Sequence, residues 1–218
     1  MTSAGITLVA LLLASGAFLF ARGVRFNPPG IDQGYGPRQP LEFSHRLHCG
    51  ELEMRCLYCH TAADESRHAG LPSASVCMNC HRFVTSSRSR LREGAQAGAD
   101  GAGGSADRPV SSELGKLYAA VGFDPATGTY TGSAAGRPIE WIQVHDLPDF
   151  AHFEHQRHVN AGVDCERCHG SIASMERVSQ VSTLGMGWCV NCHRDVNAGR
   201  IPELRGRSAS TDCGACHY

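Results

Sequence analysis

Cys165-Glu166-Arg167-Cys168-His169 sets two thiols three positions apart with an imidazole directly after the second. Four more copies of the pattern occur: Cys56/Cys59/His60, Cys77/Cys80/His81, Cys189/Cys192/His193 and Cys213/Cys216/His217. Together they use ten of the eleven cysteines and leave only Cys49, which reads as a small buried or free thiol. With 12 histidines in 218 residues, a histidine would follow a given pair by chance about one time in twenty, so five out of five is not chance.

Cys-x-x-Cys-His is the attachment signature of c-type haem. The two thiols add to the two vinyl groups of the macrocycle, and the adjacent imidazole takes one axial position on the iron. Five copies imply five covalently bound haem c groups. Zinc knuckles pair Cys-x-x-Cys motifs into four-thiolate sites, which leaves an odd number of motifs and all five histidines unexplained. A thioredoxin-like redox pair needs a single copy in a strand-helix context.

The rest of the composition fits this reading. Aromatic residues make up 7% of the chain and there are 25 glycines, so the side chains alone would give a thin core for this length. Haem supplies the missing apolar surface. A formal charge of -1 offers nothing to attract nucleic acid, which is not expected as a partner.

Gly5 to Ala21 is an uncharged, mostly apolar run at the lower limit for a membrane-spanning helix. No basic residue precedes it, and Leu19 stands two positions before Ala21, which makes a poor cleavage site, so an uncleaved single-pass anchor is expected over residues 1–25. Arg22 and Arg25 on its C-terminal flank vote for a cytoplasmic domain. The five motifs outweigh them, because c-haem attachment takes place outside the bacterial cytoplasmic membrane. The expected location is therefore that membrane, with the haem domain on the periplasmic face and in contact with lipid.

Residues 26–40 are rich in proline and glycine and read as a tether. Gly94 to Ser105 is almost all glycine and alanine and reads as a disordered insertion, with residues 94–137 as insertion and linker. The remainder falls into a module at 41–93 with two motifs and one at 138–218 with three. Each opens alike, with Phe43-Ser44-His45-Arg46-Leu47-His48 in the first and Phe153-Glu154-His155-Gln156-Arg157-His158 in the second. The expected fold is mostly irregular with short α-helices at the attachment sites: a multihaem cytochrome c of class III, c7-like, as tandem modules plus one N-terminal transmembrane helix.

Five irons need five more axial ligands. Outside the motifs stand His45, His48, His68, His145, His152, His155 and His158, with Met186 as a thioether option, so supply exceeds demand. The Phe-x-His-x-x-His pattern resembles that of the small c3 and c7 multihaem cytochromes. The resemblance implies His45 for the iron of His60, His155 for that of His169, and His48 and His158 for those of His81 and His193. Where the c7 pattern has a further histidine before its second motif, this chain has Met186, expected on the iron of His217. His68 and His145 compete for that place. His152 belongs to a second register, Phe150-x-His152-x-x-His155. A methionine ligand would raise the potential of the haem that carries it.

A wider resemblance covers most of residues 41 to 217. It rests on Phe43-Ser44-His45-Arg46-Leu47-His48, Cys77-Met78-Asn79-Cys80-His81, Pro138-Ile139-Glu140-Trp141, Val144-His145-Asp146-Leu147-Pro148-Asp149 and Met186-Gly187-Trp188-Cys189. In these the chain is similar to the pentahaem cytochrome c subunit of bacterial alternative complex III. The resemblance implies a subunit that is no enzyme by itself. It would take electrons from an iron-sulfur subunit related to molybdopterin enzymes, beside polytopic quinol-binding membrane subunits. It would pass them to a monohaem cytochrome c or another periplasmic acceptor. A small membrane-anchored multihaem quinol dehydrogenase and a multihaem reductase with an open iron are the alternatives.

Overall fold

The structure is a computed structural model that describes residues 3–21, 32–99, 109–131 and 136–218. Its helices are α1 (Ser3–Ala21), α2 (Cys56–Cys59), α3 (Ala74–His81), α4 (Arg88–Ala99), α5 (Ser112–Val121), α6 (His155–Asn160), α7 (Glu166–His169) and α8 (Met186–Asn197). A π-helical turn covers Arg46–Glu51, and 3-10 turns cover Ile172–Ser174, Pro202–Leu204 and Cys213–Ala215. The one sheet among the described residues is a two-stranded hairpin, β1 (Phe123–Asp124) against β2 (Thr129–Tyr130), with Phe123 opposite Tyr130.

The helices are short because the motifs call for single turns. Residues i and i+3 of a helical turn share a face, so Cys-x-x-Cys presents both thiols to one side. In three motifs the histidine N–H closes the same turn onto the first cysteine carbonyl: His60 to Cys56 at 2.9 Å, His169 to Cys165 at 3.0 Å and His217 to Cys213 at 3.0 Å. The other two motifs lie within α3 and α8.

The sequence repeat is a structural repeat. Phe43 stacks on His48 at 4.3 Å and meets His45 edge-on at 4.9 Å, while Phe153 packs on His158 at 4.4 Å and meets His155 edge-on at 4.9 Å. The first copy has one more residue before its motif than the second. It takes up the extra residue in the π-helical turn, where the Leu52 N–H reaches back five positions to the Leu47 carbonyl at 3.0 Å.

The two halves interlock. Arg46 donates its N–H to the Met175 carbonyl at 2.9 Å and pairs with Glu51 and Glu176. A Cβ on Gly50 would stand 2.3 Å from the Ala173 carbonyl oxygen, so only glycine lets the π-turn lie against the Ile172–Ser174 turn. Further along, the N–H groups of His155 and Gln156 bond the carbonyls of Arg67 at 3.1 Å and Ser66 at 3.0 Å, and Asn160 donates to the Asp64 carbonyl at 3.0 Å.

Two expectations for the chain between the motifs need correction. Gly94 to Ala99, expected as disordered insertion, continues α4; the remainder of that run, residues 100–105, lies outside the described residues. The supposed linker contains a folded element. Ser111 caps α5 by accepting the Leu114 N–H, and Gly122, at φ 65°, ends it in the left-handed region. Leu114, Leu117, Tyr118 and Val121 then fall on one face and pack, with the hairpin residue Phe123, on Met78 of α3. Part of the expected tether is also docked: Gly34 and Tyr35 exchange backbone bonds with Gln180, and Gln39 bonds Ile142 in both directions. Residues 26–31 lie outside the described residues, as do Arg22 and Arg25.

The N-terminal segment is helical, as expected. No helix among the described residues is long and apolar enough to cross a membrane. In α1 the side chains are described from residue 4 to residue 20, and those of Leu8, Leu11, Leu12, Leu13, Phe18 and Phe20 are exposed.

Candidate functional site

Only eight apolar residues among those described are buried: Ala63, Met78, Leu117, Tyr118, Phe123, Val196, Ile201 and Leu204. They form two small clusters, one at α3 and α5, the other at the end of α8 with Ile201 and Leu204. Large apolar side chains near the motifs stand open instead, among them Leu57, Tyr58, Leu71, Phe83, Phe150 and Tyr218. Side chains therefore do not fill the space around the attachment helices. An apolar group of macrocycle size bound there would give those surfaces a partner.

Imidazoles face one another across that space in twos. The ring centroids of His48 and His81 are 6.1 Å apart, those of His158 and His193 6.1 Å, and those of His155 and His169 6.3 Å with planes only 9° from parallel. Two imidazoles bound on opposite sides of one metal, each nitrogen about 2.0 Å from it, would stand about 6.4 Å apart by centroid. The spacing thus suits a six-coordinate iron between each pair. Among the described residues no group of three or more His, Cys, Asp or Glu side chains converges as a cage for a metal ion.

Orientation agrees with spacing. A carbonyl oxygen can only accept, so a ring whose Nδ1 meets one carries its proton on Nδ1 and keeps the Nε2 lone pair for a metal. Seven of the twelve histidines are held this way. The motif histidines His60, His81, His193 and His217 bond the carbonyls of Gly70 (2.8 Å), Val84 (2.8 Å), Ser210 (2.5 Å) and Phe150 (2.7 Å). Outside the motifs, His48, His155 and His158 bond those of Ser44 (2.8 Å), Arg67 (3.0 Å) and Glu154 (2.9 Å). The motif pattern said nothing of these carbonyls, because most of them come from backbone remote in sequence.

The remaining histidines differ. His45 lies close enough to His60 for their charges to interact, and its Nδ1 is buried without a hydrogen-bond partner. Burial, then the charges of His60 and His48, lower it from 6.5 to about 4, which keeps it neutral and able to ligate. His169 is lowered to about 4 as well, by burial first and then by His145, His155 and His60. His145 sits edge-on to His169, ring centroids 4.4 Å apart, with its Nε2 3.3 Å from the His169 Nδ1. The structure thus brings His145 to the third motif and sets it beside the His169 ring, where the other motif histidines have a carbonyl. His152 accepts from Arg67 on Nδ1 at 3.3 Å and stacks on Tyr218, so as a neutral ring it holds its proton on Nε2. His68 is exposed, and Met186 is 72% exposed as the first residue of α8.

All eleven cysteines are free thiols. Those of the motifs lie in surroundings that resist charge: burial raises Cys59, Cys77 and Cys189, and carries Cys165 and Cys168 up to about 11. A thiolate-ligated metal site needs the opposite shift, whereas a thioether is neutral and apolar and suits such a place.

Comparison with known proteins agrees with this geometry. Residues 151–218 match the family described as cytochrome c7 and related cytochrome c. The chain is a multihaem cytochrome c. Over 201 residues, 82% of this chain and 76% of the relative, the cytochrome is 22% identical to the menaquinone reductase, multiheme cytochrome c subunit, of Nitratidesulfovibrio vulgaris. Its fold is the c7-like one expected, helical and irregular with few strands, and its cofactor is covalently bound haem c. When bound, that group supplies reversible one-electron chemistry at iron. The chain's own part is to orient imidazoles through Nδ1, to keep them neutral by burial, and to hold the attachment thiols on one side of each turn.

Proposed function

We propose that this cytochrome carries five haems and is the electron-transfer subunit of a membrane-bound, quinone-linked oxidoreductase complex, with no substrate chemistry of its own. The observation that carries the proposal is the set of opposed imidazole pairs, which leaves those irons no position for a substrate. On this reading His60 is opposed by His45, His81 by His48, His169 by His155 and His193 by His158. For the iron of His217 the ligand is Met186. It lies one turn before Cys189 on α8, and the Cys189 thiol lies within electrostatic reach of Cys216.

The finer placement follows the resemblance to alternative complex III. Electrons would enter from an iron-sulfur subunit and leave to a periplasmic acceptor, with α1 holding the chain at the outer face of the cytoplasmic membrane. The relative in N. vulgaris is named for quinone reduction, while alternative complex III oxidises quinol. The axial ligands and haem surroundings that set the potentials decide which way electrons run.

Purification of the native protein in mild detergent tests the proposal. The expected mass is that of the polypeptide plus five haems, together with co-migrating iron-sulfur and polytopic membrane chains. A smaller haem mass, or recovery alone, would count against it. A second reading, a reductase with an open iron, draws on one observation: the ring next to His217 is Phe150, at 6.0 Å, and not a second imidazole. A high-spin ferric signal that shifts with cyanide or nitrite would favour it.

A further inference from the structure

The halves of the molecule meet where the first and third motifs stand. One segment, Ser66 to Gly70, holds histidines of both. The Gly70 carbonyl fixes His60 at 2.8 Å, the Arg67 carbonyl fixes His155 at 3.0 Å, and the Ser66 carbonyl takes the N–H of Gln156 at 3.0 Å. His155 in turn faces His169. The thiols of Cys56 and Cys165 meet in a hydrogen bond, and His60 lies within electrostatic reach of His169.

The other thiols continue the series. Cys59 stands near Cys77 and Cys80, Cys168 near Cys189 and Cys192, and Cys189 near Cys216. The thiols that bear on Cys165 and Cys168 from other motifs are Cys56, Cys189 and Cys192, and neither thiol of the second motif is among them.

We infer that the electron path departs from the order of the motifs along the chain: it runs second, first, third, fourth, fifth, with the first and third haems as the crossing between the halves and the second and fifth at its ends. The inference rests on the five-haem reading above and adds to it which haems are neighbours. A partner that feeds the relay would then dock by the second or the fifth motif, and the first would be an interior station although it is nearest the N-terminus.

Two haem deletions in the full-length, haem-loaded protein separate this order from the motif order. After flash reduction, the four haems left in Cys77→Ala/Cys80→Ala should equilibrate as one set, because an end has been lost. In Cys56→Ala/Cys59→Ala one haem of four, the second, should fall out of the fast phase. The reverse result, or the same behaviour in both variants, overturns the inference. A measurement that removes no haem is pulsed EPR on His48→Met, which marks the second haem. The marked haem should couple strongly to one neighbour, and coupling to two of similar strength overturns the inference. A wild-type mass short of five haems would refute the reading beneath it, while a full complement with the wrong coupling refutes the order alone.

Discussion

At the scale of single residues, the site is an arrangement of imidazole protons. Carbonyl partners on Nδ1 turn Nε2 toward the iron, and such outer contacts are typically worth 10 to 100-fold in metal affinity. His145 holds the corresponding place beside His169, 3.3 Å from its Nδ1. His145→Ala should shift the potential of one haem while the protein remains low-spin, and His145→Gln, which keeps an acceptor, should restore most of it. A new high-spin signal in His145→Ala would instead make His145 a ligand. His158→Ala should behave in the opposite way: the ring facing His193 is lost, so one haem in five becomes high-spin and binds cyanide.

Acid adds a signed test at the same scale. His45 and His169 titrate near 4 in the fold against an ordinary 6.5, so the unfolded chain binds their protons more tightly. Their contribution to stability is whole above pH 6.5 and is lost as pH falls from 6.5 toward 4. The lowered values also let iron outcompete protons down to the lower figure. The low-spin absorption of the haems they face should persist through pH 6 and fail only on approach to pH 4. Loss centred near 6.5 would mean that burial does not protect these rings.

Elements differ in how far their chemistry could be read in advance. The motif helices were legible because covalent attachment demands thiols one turn apart, and the Phe-x-His-x-x-His repeat because both copies keep the same ring packing. The carbonyl that holds His155 could not be read, since it belongs to Arg67, 88 positions away, and any residue type could supply it. The failure over α5 has another cause. Leu114, Leu117, Tyr118 and Val121 have helical spacing between a Ser111 cap and Gly122, but the glycine-alanine run before them masked the signal. This element supports the second motif, for the Tyr118 hydroxyl donates to the His81 carbonyl at 2.6 Å. Leu117→Ala should therefore cost about 2–5 kcal/mol in stability. Its effect on spectrum and potential should fall on the second haem alone. A disturbance spread over all haems in denaturant titration would show that α5 supports the whole molecule.

For the molecule as a whole, eight buried apolar residues in two clusters are too few to hold the described chain against its conformational entropy. Most of the missing burial must come from the macrocycles, so folding and haem attachment should be one event. Chain made without attachment should give no cooperative thermal transition in the far-ultraviolet and should be cut rapidly within the attachment regions. The cluster of Met78, Leu117, Tyr118 and Phe123 is formed by side chains alone, and residues 109–131 should be the last to yield to protease. A sharp unfolding transition in the haem-free chain would mean that the polypeptide has a core of its own. The opposed imidazoles would then be a feature of a preformed scaffold, and their spacing would no longer depend on the metal between them.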